Sequence, residues 1–213
     1  MAEEDALGAD AEPAASRPLK RRQRSMLGAA LQIALIGAGV FLGLAGDEWR
    51  ENARNRRQAA ASLRGFRAEI TNNRQAVQAV VDYRPAVLTR LRAYLNADRT
   101  VRNTADVRVQ GLRIVAFEHT AWDLALATQS LAHIDQDLAL ALSRVYSEQQ
   151  RITELSRGMT QAMYQLPWRE DFDSFAGAAE TYFGDMVSME PALIALYDDT
   201  LARLDAALGG APR

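Results

Sequence analysis

Six side chains able to hold a metal or move a proton stand close together mid-chain: Glu118, His119, Asp123, His133, Asp135 and Asp137. Imidazole with carboxylate is a zinc or hard-cation ligand set, and a helical histidine pair needs i, i+4 spacing to converge. His119 and His133 lack that spacing. Asp135 and Asp137 read better as the N-cap and first-turn acid of a following helix, where a negative charge faces the positive end of the helix dipole. Glu170, Asp171 and Asp173 read the same way ahead of Phe175. The chain has no cysteine, so thiol nucleophiles, Cys-ligated zinc and disulfides drop out. No Ser-His-Asp arrangement, phosphate loop or pair of catalytic carboxylates stands out. No catalytic residue, metal ligand or cofactor is assigned, and the chain reads as a non-enzyme.

One further run imitates chemistry. Gly37, Gly39 and Gly43, after Leu35-Ile36, resemble a glycine-rich dinucleotide turn. That turn needs a strand before it, a helix after it and an acidic residue about 20 positions on. Here residues 59–62 read Ala-Ala-Ala-Ser, and no βαβ pattern follows. The aromatics Trp122, Trp168, Tyr146, Tyr164, Tyr182, Phe183 and Tyr197 fall at helical spacings and read as core and rim of a bundle.

The glycines belong to the stretch that organises the chain. Residues 26–46 carry no charge, and Gln32 is their only strongly polar side chain. As a helix they span about 31 Å, close to the ~30 Å hydrocarbon core of a bilayer. The stretch reads as a transmembrane helix. A signal peptide is the competing reading, with Gly43-Leu44-Ala45 as its cleavage site, but its apolar core is normally only about 7–15 residues. Gln32, Gly39 and Gly43 share one face. The Gly39-x-x-x-Gly43 step lets two helix backbones approach, and Gln32 can bond across them, so this face is the expected homo-oligomer contact.

Lys20, Arg21, Arg22 and Arg24, with Arg17, form a purely basic flank before the helix; the opposite flank mixes Arg50, Arg54, Arg56 and Arg57 with Asp47, Glu48 and Glu51. The positive-inside rule then places the N-terminus in the cytoplasm and residues 47–210 outside it, in the periplasm of a bacterium. Trp49 becomes an interfacial anchor. Residues 1–25 are polar, without apolar period, and read as a disordered tail. The net charge of −2 gives no basic field for nucleic acid.

Beyond the membrane stretch the period stays helical. Leu63, Phe66, Ile70, Val77 and Val81 form one stripe, interrupted at Asn73 and Arg74. Pro85 kinks this helix or starts a new one carrying Val87, Leu88, Leu91 and Leu95. Residues 96–118 alternate briefly like a strand around Gly111, but a lone strand has no partner, so loop and short helix are expected. Asp135 opens a helix through Leu138, Leu142, Val145, Ile152, Leu155 and Met159, ended by Leu166-Pro167-Trp168. Residues 172–187 make another. Ser188 then caps a last helix with Pro191 in its first turn, carrying Leu193, Tyr197, Leu201, Leu204 and Leu208 and stopping at Gly209-Gly210. The expected architecture is all-α: a single transmembrane helix continuing into an extramembrane helical bundle.

Several short motifs carry a resemblance. Asp47-Glu48-Trp49, then Leu63-x-x-Phe66-x-x-Glu69-Ile70-x-x-Asn73, then Thr120-Ala121-Trp122 and Ala141-Leu142-Ser143-Arg144-Val145-Tyr146 together resemble a family of small bacterial single-pass membrane proteins of unknown function. The resemblance covers about residues 26–165. It implies a membrane helix, a tryptophan just outside it and a long helical region, and it brings no catalytic residue.

The expected role is an inner-membrane interaction or scaffold protein, packing on itself or on another envelope protein. The alternative is a periplasmic ligand-binding, sensor-like bundle acting through a separate membrane partner. A cavity lined by Trp122 and Tyr146 with a few convergent polar groups favours the alternative. Carboxylates and histidine clustered in a cleft would favour an enzyme.

Overall fold

The computed structural model describes residues 19–107, 109–165 and 171–209, with side chains from residue 31 onward. Among these residues the chain is all-α. Five helices follow in order: α1 (Leu19–Val81), α2 (Tyr83–Asn96), α3 (Thr120–Ala127), α4 (Gln136–Gln165) and α5 (Phe172–Gly209), with short 3-10 turns at Thr104–Asp106 and Ser130–His133. The tail expected over residues 1–25 lies outside the described residues up to residue 18, and α1 begins within it at Leu19. The backbones of Lys20, Arg21, Arg22 and Arg24 are therefore helical. Leu166, Pro167, Trp168 and Glu170 also lie outside.

The chain divides into two compact units, Met1–Asn52 and Ala53–Arg213, and α1 contributes to both. In the first unit, α1 is long and apolar enough to cross a membrane by length and composition. Its large apolar side chains are exposed on every side: Leu31, Ile33, Leu35, Ile36, Val40, Phe41 (71 %), Leu42 and Leu44. A helix that is apolar all round belongs in an apolar solvent or a core. Trp49 is 74 % exposed.

The second unit buries its stripes. Phe66, Ile70 and Val77 of α1, Val87, Leu88 and Leu91 of α2, and Leu138, Leu142, Val145, Ile152 and Met159 of α4 enter one core. The α5 helix packs on α4 and α2 and contributes Phe175, Phe183, Met186, Leu193, Tyr197 and Leu204. Asp82 separates α1 from α2, so Pro85 sits in the first turn of a new helix, where its missing N–H costs least. Asp135 caps α4 as expected, its Oδ1 accepting the Leu138 N–H at 3.0 Å. Asp171 does the same for α5, accepting the Ser174 N–H at 3.0 Å.

The break expected at Ser188 is absent. The α5 helix runs unbroken with Pro191 inside it, and the Ser188 hydroxyl bonds backward to the Asp185 carbonyl at 2.9 Å instead of capping a new helix. An interior proline costs about 3 kcal/mol. It is tolerated because the buried stripe continues through it: Phe183, Met186 and Glu190 on one side, Leu193 and Tyr197 on the other. Among the described residues between 97 and 119 there is no strand and no helix longer than the Thr104–Asp106 turn. The α3 helix and the turn after it had no clear signal in the pattern.

Candidate ligand-binding cleft

Glu69, Asn73, Trp122 and Tyr146 lie far apart in sequence and come together in the second unit. Glu69 of α1 is buried and accepts the Tyr146 hydroxyl of α4 at 2.6 Å and the backbone N–H of Ala121 at 2.8 Å. Ala121 is in the first turn of α3, whose leading N–H groups have no partner within their own helix. Glu69 thus caps α3 from another helix. One turn on, Asn73 (1 % exposed) grips the Glu118 backbone twice: its amide donates to the carbonyl and its oxygen accepts the N–H, both at 2.8 Å. The polar residue that interrupts the α1 stripe is fully paired. Phe66, Trp122 and Tyr146 complete the cluster. Trp122 stacks on Tyr146 with ring centres 4.7 Å apart, and Phe66 lies 6.3 and 6.1 Å from the two rings.

Above this cluster opens a cleft of about 740 Å³, within the range that small-molecule sites occupy. One wall is the face of α4 bearing Ser143, Tyr146, Ser147, Gln150 and Thr153, which fall at steps of three and four. A second is α3, with Trp122 and Asp123. The third is the segment of residues 114–117, between Gly111 and α3.

That third wall is clamped at both ends. At its start, Arg84 of α2 donates to the carbonyls of Leu112 and, at 3.0 Å, Arg113. Tyr83 accepts the Gln110 N–H and donates to the Gly111 carbonyl, each at 2.9 Å. The Arg113 guanidinium lies over the Tyr83 ring at 4.1 Å. The turn this makes needs left-handed backbone at Gly111 (φ 79°) and at Arg113 (φ 45°), which a non-glycine residue adopts only when its surroundings hold it there. Asn73 holds the far end through Glu118.

Arg84 is itself held by Glu190 of α5, through three contacts of 2.9 to 3.2 Å, and both side chains are 1 % exposed. Burial raises the Glu190 carboxyl above its ordinary range, and the Arg84 guanidinium opposes the rise. Burial, reinforced by the bond to Glu69, pushes the Tyr146 phenol far up. Tyr146 therefore stays a neutral donor. Burial also raises Tyr197, against the bond it accepts from Gln149.

The lining sets what the cleft can accept. Among the described residues no lysine or arginine lines it. Its one acid, Asp123, pairs with His119 Nδ1 at 2.6 Å on the exposed rim. Gln149, 3 % exposed, gives its amide nitrogen to Tyr197 at 3.0 Å, and no donor among the described residues reaches its oxygen. Ser143 and Ser147 make no side-chain hydrogen bond among the described residues. The floor is aromatic, and the walls are neutral donors and acceptors.

The sequence-level candidates distribute unevenly. His119 and Asp123 reach the rim. Glu118 serves through its backbone, and its carboxylate takes the Asn72 amide at 3.2 Å. Asp135 is a cap, and His133 ends a 3-10 turn. Among the described residues no three His, Asp or Glu side chains converge as a metal site would require. Gln32, Gly39 and Gly43 lie in the first unit; a Cβ added at either glycine would meet nothing within 4 Å. Ser143 entered only as part of a resemblance motif, and Ser147, Gln149 and Arg84 were not singled out from sequence. Only the serines carry a signal, small polar residues at i, i+4 beside an apolar stripe. Compared with protein-family models, with curated proteins and with solved structures, the chain matches none.

Proposed function

We propose that this protein is a membrane-anchored helical bundle whose second unit binds a small uncharged ligand in the cleft above Trp122 and Tyr146. The observation that carries this reading is the cleft itself: an aromatic floor under walls of serine, threonine and glutamine side chains. It favours the ligand-binding alternative over a plain scaffold. Phe66, Glu69, Trp122 and Tyr146, which fall in the motifs that resemble the family of small single-pass membrane proteins, build the floor of this site.

Residues 26–46 cross the bacterial inner membrane, with the N-terminus in the cytoplasm and the bundle in the periplasm. Support comes from the charge-free helix with its apolar side chains exposed and from the purely basic flank before it. A reporter fused after Arg213, active only outside the cytoplasm, tests the orientation together with the size of the membrane-bound product. A cytoplasmic signal reverses the orientation, and a shortened soluble product replaces the anchor with a cleaved signal.

Ligand binding is tested on the full chain in detergent micelles by the thermal shift given by a library of uncharged small molecules. Hits should lose their effect in Ser147→Trp, which fills the cleft from its exposed side. Hits that persist in that variant bind elsewhere. A second role, self-association through Gln32, Gly39 and Gly43, is supported by the open space at both glycines. Gly39→Ile with Gly43→Ile should abolish dimers in membranes; unchanged dimers remove this reading.

A further inference from the structure

Resting on the cleft reading, we infer that the ligand is an extended, uncharged peptide segment that pairs with the backbone of residues 114–117. Four observations converge on this chemistry. The first is a gap in hydrogen bonding. Val107, Gln110, Gly111, Leu112, Arg113 and Glu118 each use backbone groups in bonds, whereas the N–H and C=O groups of residues 114–117 make none among the described residues. Backbone groups are obligatory hydrogen-bonders, and an unpaired run beside a cleft is a template for a second strand.

The second observation is alternation. Val115 is buried and Phe117 packs on the core, whereas Ile114, Ala116 and Glu118 face outward. Period two is the pattern of extended chain. This explains why the stretch reads as a strand in sequence and yet has no partner within the described fold. The third is the clamping described above. A segment fixed at Leu112–Arg113 by Arg84 and at Glu118 by Asn73 is preorganised, so a second strand adds bonds without first ordering its template.

The fourth is the opposite wall. From Ser143 to Thr153 the polar row on α4 covers about 15 Å, and four to five extended residues cover about the same length at ~3.3 Å each. That row offers side-chain hydroxyls and amides to the far edge of the incoming strand, while Trp122 and Tyr146 underlie it. Among the described residues no lysine or arginine lines the cleft, and Asp123 is hydrogen-bonded to His119 at the rim, so the lining suits a segment without net charge.

The test uses the full chain in detergent micelles. It is screened against blocked octapeptides lacking Asp, Glu, Lys and Arg, and in parallel against the neutral oligosaccharides maltotriose and chitotriose. Peptides should bind. Binding should fall on the order of tenfold when alternate peptide nitrogens are methylated, which removes the donors that face the wall. It should fall similarly in Ala116→Pro, which deletes one wall N–H at an exposed position, and in Ser147→Trp. Peptides that bind equally after methylation and to Ala116→Pro overturn the pairing. An oligosaccharide that binds in a Ser147→Trp-sensitive way, with no peptide binding, overturns the peptide and leaves the cleft reading standing. Binding of neither class overturns the peptide, and failure of the uncharged library as well overturns both.

Discussion

Two stretches of the same helix solve opposite problems. Between residues 31 and 49, α1 carries large apolar side chains around its whole circumference and exposes them. Between residues 59 and 77 it gathers them into one stripe: Ala59, Phe66, Ile70 and Val77 are buried, and small, polar and charged residues such as Ala61, Arg64, Arg67, Asn72 and Gln75 are exposed. Both stretches are equally helical. They differ in the solvent each surface is made for. The polar groups differ in the same way. Gln32 stands alone in a stretch where a neighbouring helix must answer it, whereas Glu69 and Asn73 are buried and answered within the bundle. A buried polar group is stabilising only when paired, and for Glu69 and Asn73 the bundle supplies the partners.

The largest expected effect comes from unpairing a charge on the bundle side. Arg84→Met leaves Glu190 buried and alone and should destabilise the second unit by about 3–5 kcal/mol in denaturant titrations of the full chain. The sign of its pH dependence is fixed. Burial already raises the Glu190 pKa, and removing the opposing guanidinium raises it further. The stability the protonated form retains at low pH is then lost as pH rises through the folded pKa. The deficit should therefore widen from pH 4 to pH 8, and Arg84→Met with Glu190→Leu should recover most of it. A deficit independent of pH would place the cost elsewhere, in the lost grip on the Leu112 and Arg113 carbonyls.

Next comes a charge on the apolar side. Phe41→Arg should oppose membrane insertion by about 2.5–3.5 kcal/mol and shift the chain out of the carbonate-resistant membrane fraction. Arginine in place of exposed Ala61, on the same helix, should leave both membrane retention and stability unchanged. If the two variants behave alike, the contrast between the stretches is wrong. Asn73→Leu is smaller. It strips both partners from the Glu118 backbone and should cost about 1–3 kcal/mol, with faster amide exchange at Glu118 than in the parent. Gln32→Leu, the matching change in the apolar stretch, should leave bundle stability unaltered.

The smallest effect runs the other way. Thr200 is fully buried and its hydroxyl makes no hydrogen bond among the described residues. Thr200→Val keeps the shape, removes an unpaired polar atom and should stabilise the bundle by up to about 1 kcal/mol. A loss of stability would mean that the hydroxyl has a bonding partner such as buried water.

Much of this fold is legible because helical period and end signals are local. The stripes on α1, α2 and α4, the Asp135 cap and the proline opening α2 all follow from side chains within a turn or two of one another. Pro191 shows the limit of that logic. A Ser-x-x-Pro start is a sound local reading, but burial of Met186, Glu190, Leu193 and Tyr197 along one line outweighs it. The cleft was legible only in part. Trp122 and Tyr146 stood out as aromatics, and Glu69 and Asn73 as motif positions. That Glu69 joins α3 to α4, and that Asn73 and Arg84 clamp the same loop from two helices, has no local signature.

By itself the sequence determined that the chain is helical, that one stretch is apolar enough to span a bilayer, and which face of each later helix turns inward. These depend on periodicity and on transfer free energy, which each residue carries with it. Only the tertiary structure decided which polar groups meet. It pairs Arg84 with Glu190 and Glu69 with Tyr146 across more than seventy positions, and among the described residues it gives the backbone of residues 114–117 no partner. Hydrogen bonds act over about 3 Å and demand direction, so their partners exist only once the helices have packed.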